Sequence, residues 1–261
     1  MKNQTRLDNF TAAIHFSELP PPALEGHGLA PTWQAADVLE VLGPGWDVIS
    51  DLTWCELRGG VRDLSCARGE EVVTVAIFVS GEGDAAARKW FLLRASANSA
   101  PEIPFRRSNL DLGQLAVETE GRLKREILWL FHNLVFHVRA IGTPISVRAV
   151  AERLQQRAAV EGVHDLDPSL PRTRALDTAP RKKVGELLRV PLLEQPPADL
   201  LRQYEVEIRT GGKALDFVGF EGNEALFEPL APGIDHLTIQ VIDRSTLLSS
   251  RIEAEVEIEP V

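Results

Sequence analysis

The chain has 261 residues, with 44% apolar and 25% charged side chains, which suits a globular protein and excludes a mainly disordered, collagenous or disulfide-packed one. Lys and Arg number 28 against 38 Asp and Glu, a formal charge of −10. Such a chain is a poor general binder of nucleic acid, because that binding rests on neutralising phosphates with basic side chains.

The charge is uneven along the chain. Residues 203–261 hold four basic and twelve acidic side chains, whereas residues 172–189 hold six basic and two acidic ones. These sign changes mark boundaries. No apolar run reaches the roughly 18–20 residues that span a bilayer, and the richest, Ile127–Val138, is interrupted by His132, Asn133 and His137. Membrane insertion is not expected. The opening MKNQTRLDNF lacks the apolar core of a signal peptide.

Residues 1–31 read as an irregular arm, broken by Pro20, Pro21, Pro22, Gly26, Gly28 and Pro31. Thr32 is a candidate N-cap for a helix over 33–42, closed by Gly43. Strands are expected at Asp47–Glu56, Val61–Cys66 and Glu71–Ser80, the first two joined near Arg58-Gly59-Gly60. Asp84 can cap an Ala-rich helix over 84–97. Residues 121–140 fit either a helix or a hairpin. Alternation of Leu134, Phe136 and Val138 favours a hairpin, 125–131 with 134–140, turning at His132-Asn133. Ser146 then caps an amphipathic helix with Val147, Val150, Ala151 and Leu154 as its stripe. Helices grouped against a mostly antiparallel sheet make 32–162 an α+β domain.

Residues 163–183, with three prolines and a basic cluster, read as a linker. The remainder, 184–261, reads as short strands with polar and apolar positions alternating. Tyr204–Thr210 alternates with period two, Gly211-Gly212 turns the chain, Ala214–Val218 returns, and Asp235–Asp243 and Ile252–Glu259 are two more strands. In the last, Glu253, Glu255, Glu257 and Glu259 face one way and Ile252, Ala254, Val256 and Ile258 the other. Short strands at this spacing predict an all-β sandwich.

Within this tail Pro232, Gly233, His236, Leu237, Thr238, Val241, Asp243, Ser249 and Ser250 follow a Gly-turn hairpin and precede an alternating final strand. In this the last 60–75 residues resemble bacterial immunoglobulin-like modules. The loop RSTLL departs from those modules in lacking their common Gly. The resemblance implies an Ig-like sandwich and is nearly silent on function. The N-terminal domain is not recognised.

Motifs for phosphate cradling, a serine nucleophile elbow and a zincin centre are absent from the sequence. No catalytic, cofactor-binding or metal residue is therefore named, and no cofactor is implied. His132 and His137 are five apart, which sets them on opposite faces of a strand and makes a structural role the expectation. His236 is expected at a core edge. Asp165 and Asp167 read as a solvated loop. Trp46 is the tryptophan expected to be exposed.

Cys55 and Cys66 become cross-strand neighbours if Gly60-Val61 centres the hairpin turn. A disulfide, two buried free thiols and a reactive thiol are then the alternatives, and the first implies an oxidising compartment. Glu253, Glu255 and Glu257 form a candidate partner-binding acidic face, against the alternative of a solubilising face on an edge strand.

The sequence expectation is a non-catalytic binding or accessory protein, a subunit of a surface or extracytoplasmic assembly with a protein partner. The small-molecule ligand, if any, is unspecified. The alternatives are an enzyme whose site lies in the α+β domain, and a regulatory or scaffold protein of the cytoplasm if no leader was removed.

Overall fold

A computed structural model describes residues 8, 10–22, 25–56, 59–99, 103–120, 124–141, 145–160, 162–176 and 180–261. The chain is β-rich with helices among several sheets. It divides into two units. The first comprises Met1–Ser169 with Ser245–Leu247, and the second comprises Leu170–Arg244 with Leu248–Val261.

In the first unit, β1 (His27–Gly28) pairs with a distant short strand. A seven-stranded sheet follows, formed by β2 (Asp47–Glu56), β3 (Gly59–Arg68), β4 (Glu71–Ser80), β5 (Arg106–Arg107), β6 (Leu115–Glu120), β7 (Lys124–Phe131) and β8 (Leu134–Ile141). Its order is β2-β3-β4-β8-β7-β6-β5, antiparallel throughout. The partner of β1 is β9 (His164–Asp165).

Residues directly opposite on paired strands share a face. Val61, Phe78, Val135, Leu130 and Leu115 therefore form one row, and Arg62, Ile77, Phe136, Trp129 and Ala116 the adjacent row on the other face. The Asp84–Asn98 helix covers the first face, with Trp90 stacked on Phe78 at 5.1 Å. On the second face Trp33 meets Phe136 edge-on at 5.1 Å. The Ala35–Leu42 and Val147–Ala158 helices lie on this side, linked by the ion pair of Arg157 with Asp37. Arg148 of the latter reaches Glu118 at 2.8 Å. Helices on both faces explain why β4 reads EVVTVAIFVS without polar alternation, since neither face of that strand meets water.

The expected hairpin at 124–141 is present, with Phe131 opposite Leu134. Its turn uses His132 at φ 54° and the buried Asn133. The Asn133 side chain accepts from Leu29 N at 2.6 Å and donates to Leu29 O and Ser80 O at 3.0 and 2.9 Å. A Cβ on Gly28 would meet that amide at 2.4 Å, so the N-terminal segment passes here only as glycine. Ser146 caps its helix as expected, accepting from Ala149 N. Two caps differ. Gln34 rather than Thr32 begins the first helix, in a reciprocal box with Asp37. Asp84 lies inside its helix, one residue after the Gly83 cap, and pairs with Arg88 at 2.9 Å.

Segment 163–183 carries structure within each unit. Besides β9, Leu166 is buried and its N–H donates to Gly26 O at 2.8 Å. In the second unit Thr173 bridges Leu193. Residues 177–179 of this segment lie outside the described residues, as do most of the first ten, residues 57–58 and residues 121–123.

The second unit holds β10 (Arg181–Lys183), β11 (Leu188–Pro191), β12 (Tyr204–Thr210), β13 (Leu215–Glu221), β14 (Glu224–Pro229), β15 (Gly233–Asp243) and β16 (Ser249–Glu259). A four-stranded sheet, β10-β16-β15-β12, and a three-stranded sheet, β11-β14-β13, share one core. Phe227, Leu237, Ile239, Val241, Ile252 and Val256 lie at its centre. The period-two expectation for β16 holds. Ile252, Val256 and Ile258 are buried, Ala254 is half-buried, and Glu253, Glu255, Glu257 and Glu259 are exposed. The strand is not an edge, because β10 pairs alongside it in parallel.

This facing sets up a comparison between neighbours. Val256→Glu removes a buried side chain worth about 1.5–3 kcal/mol and adds the desolvation of an unpaired charge, so the second unit should lose most of its stability. Glu255→Gln should stay within about 0.5 kcal/mol of the parent. Denaturant unfolding of both variants measures the difference, and equal losses would contradict the register.

Candidate functional site

Beneath the Asp84–Asn98 helix the sheet carries a buried charged cluster. His137 of β8 and Glu126 of β7 are 0% and 3% exposed. Arg94 reaches down from the helix, and Asp63 and Arg139 approach from β3 and β8. Arg94 Nε donates to His137 Nδ1 at 3.4 Å, which leaves the ring proton on Nε2, 3.5 Å from Glu126 Oε2. Arg139 and Arg94 both approach Asp63 Oδ2, at 3.3 and 3.7 Å. Burial holds the His137 imidazole below the usual histidine range, and the nearby arginines add to this while Glu126 opposes it. Burial likewise lowers Arg94, with Arg139 contributing. The carboxylates and guanidiniums balance, and the imidazole stays neutral. Enclosed in this way, His137 ties helix to sheet and offers no open face to a reacting molecule. Among the described residues, no group of three or more His, Cys, Asp or Glu is placed to hold a metal ion.

A second candidate lies at the sheet's margin. The ten-residue β2 is an edge strand and carries two of the most exposed aliphatic side chains of its unit, Ile49 at 61% and Leu52 at 59%. The register slips between Val48 and Ser50, leaving Ile49 as a bulge residue. On one face Asp51 is held by Arg62, through Nε at 2.8 Å and Nη2 at 2.5 Å. Arg62 Nη1 donates to Trp33 O at 2.8 Å. On the other face Leu52 stands opposite Asp63 and is exposed, whereas Phe78 is fully covered. A long edge with exposed aliphatic residues can take up an added strand through its free backbone groups.

The sequence candidates resolve differently. Cys55 stands opposite Gly60 and Cys66 opposite Val48, so the expected cross-strand pairing is not made. Glu56 pairs with Gly59, so the ladder is not centred on Gly60-Val61, and the shift separates the two cysteines along it. Both are buried and neither is in a disulfide. Burial, with Asp51 nearby, pushes the Cys66 thiol up to about 11, which disfavours a reactive thiolate.

Glu253, Glu255 and Glu257 do share one exposed face, but basic side chains lie against each of them. Arg251 pairs with Glu253, His236 Nδ1 lies 3.6 Å from Glu255, and Arg181 Nε lies 2.8 Å from Glu257. The basic cluster of 172–189 is thus partly spent within the unit. Lys182 pairs with Glu186, and Arg189 with Glu221 and Glu224. His236 is exposed rather than at a core edge, and Trp46 is buried with Arg68 over its ring at 4.8 Å. Sequence reasoning missed the Glu126–His137 pairing, because only strand pairing brings β7 and β8 charges under Arg94.

No protein-family model matches the chain, and no curated protein is similar to it. No described helix is long and apolar enough to cross a membrane.

The buried imidazole has a consequence for acid stability. Its folded pKa lies below the unfolded value of about 6.5, so the stability it contributes is fully present above that pH and is lost as pH falls below it. His137→Gln cannot take up this proton. Unfolding midpoints measured from pH 7.5 to 5 should fall less steeply for the variant than for the parent. Parallel curves would show that His137 does not titrate on unfolding.

Proposed function

We propose that this is a non-catalytic binding or accessory protein, a subunit of a surface or extracytoplasmic assembly that engages a protein partner. Its second unit is proposed to be an Ig-like sandwich of the bacterial kind. Two sheets about one core and the alternating final strand support that reading. The observation that carries the binding function is the β2 edge, with Ile49 and Leu52 standing in solvent beside unpaired backbone. Exposed aliphatic side chains on a long edge invite aggregation unless a partner covers them. Since Cys55 and Cys66 do not bridge, the extracytoplasmic placement rests on the Ig-like tail alone.

An enzyme in the first unit is the second reading, and the His137–Glu126 pair is what favours it, as buried titratable pairs gather at active sites. Its enclosure by the sheet and the Asp84–Asn98 helix favours the structural role instead. The third reading, a cytoplasmic regulatory or scaffold protein, would use the same edge.

The test is affinity capture from the native source with the full chain and with Leu52→Lys. This change places a charge on the exposed strand, where it should alter folding by no more than about 0.5 kcal/mol. A partner held by the parent and weakened at least tenfold by the variant is the expected result. Identical capture by both proteins would sink the β2 reading, and turnover lost on Glu126→Gln without unfolding would replace it with the enzyme.

A further inference from the structure

The second unit has its own sheet edge at β13, where the Leu215 N–H already donates to Asp235 Oδ2 at 3.0 Å. β13 has β14 as its neighbour on one side in the three-stranded sheet. The β13–β14 pair contains two cross-strand contacts between like charges. Glu221 stands opposite Glu224, and Asp216 opposite Glu228. Like charges directly opposite each other destabilise a ladder.

The first contact is resolved inside the unit. Arg189, on β11, places Nη1 2.6 Å from Glu221 and 3.0 Å from Glu224, and both carboxylates raise its pKa. The second is not resolved in this way. Asp216 and Glu228 are exposed, and among the described residues neither has an ion-pair partner. Exposed apolar side chains lie on or next to the same three-stranded sheet. Val218, a bulge residue of β13, is 56% exposed, and Phe217 beside it is 36% exposed. Leu187 precedes β11, and Leu230 follows β14 with its N–H donating to Ala214 O at 2.8 Å; both are exposed.

We propose that β13 is a docking edge for an extended segment of a partner protein that carries an arginine between aliphatic residues. The segment's backbone continues the sheet along β13 beyond Leu215, whose N–H Asp235 already holds. Its guanidinium bridges Asp216 and Glu228 as Arg189 bridges Glu221 and Glu224, and its aliphatic side chains cover Val218 and Phe217. A second copy of this chain does not fit the edge by its own β13. The charged residues of that strand, Asp216 and Glu221, are both acidic, so two copies would set like charges against each other. This site lies in a different unit from the β2 edge, and neither reading depends on the other.

The test pans a phage-displayed library of random nonapeptides against the full chain. The expected result is enrichment of peptides with Arg flanked by aliphatic residues. Their binding should weaken at least tenfold on the double change Asp216→Asn with Glu228→Gln, and remain unchanged on Leu52→Lys. The double variant should also melt about 1–3 °C higher than the parent, since it removes an unrepaid repulsion. No enrichment, enrichment of peptides without a basic residue, or binders indifferent to the double change would overturn the proposal. So would a fall in melting temperature, which would mean that the two carboxylates already have their partners.

Discussion

The first unit depends on one constraint: its central strands have to be shielded from water on both faces. β4 and β8 run side by side in the middle of the sheet, and their side chains are apolar in both directions over most of their length. A sheet of this kind is unstable until helices cover each side. The Asp84–Asn98 helix lies on one side and the Ala35–Leu42 and Val147–Ala158 helices on the other, with Trp90 anchoring one layer on Phe78 and Trp33 closing against Phe136 in the other. The stretch around Gly28 is fixed by the same logic. Leu29 must enter the core, and Asn133 compensates its backbone by hydrogen-bonding both its N–H and its carbonyl.

Charge follows from that packing. Where the Asp84–Asn98 helix crosses β7 and β8, polar side chains would be stranded. The cluster of Arg94, His137, Glu126, Arg139 and Asp63 answers by mutual pairing, with the imidazole kept neutral. Breaking such a set from one side leaves a buried charge uncompensated, which costs more than the set contributes. It is a device for holding a helix in register. The open chemistry of the unit lies instead at the sheet margin, where β2 has no further strand to satisfy it.

The second unit turns an acidic composition into a mostly paired surface. Arg181, Arg189, Arg251 and Arg244 each meet a carboxylate, so the negative charge of residues 203–261 is not a uniform field. Among the described residues, Asp216 and Glu228 have no ion-pair partner and stand opposite each other on the β13–β14 ladder, near the exposed Phe217 and Val218. A function by binding at strand edges, proposed for both units, uses backbone groups that any β protein has. Specificity then falls to the few side chains beside each edge.

Periodicity was enough to determine several of the local elements, though not the short strands β6, β10 and β14. Alternation placed Glu253, Glu255 and Glu257 outward and Val256 inward on β16, and it chose a hairpin over a helix at 124–141. Ser146 announced its helix through its own side chain. These properties are carried by neighbouring residues, so the sequence holds them. Partnership across the chain was not legible. Pairing of Glu56 with Gly59, rather than a ladder centred on Gly60-Val61, separated Cys55 from Cys66, and pairing with β10 made β16 an inner strand. Hydrophobic pattern records that a side chain is buried but not what lies against it. Which strands end a sheet, which carboxylate meets which guanidinium, and which apolar side chains stay in water are decided only when distant segments pack together.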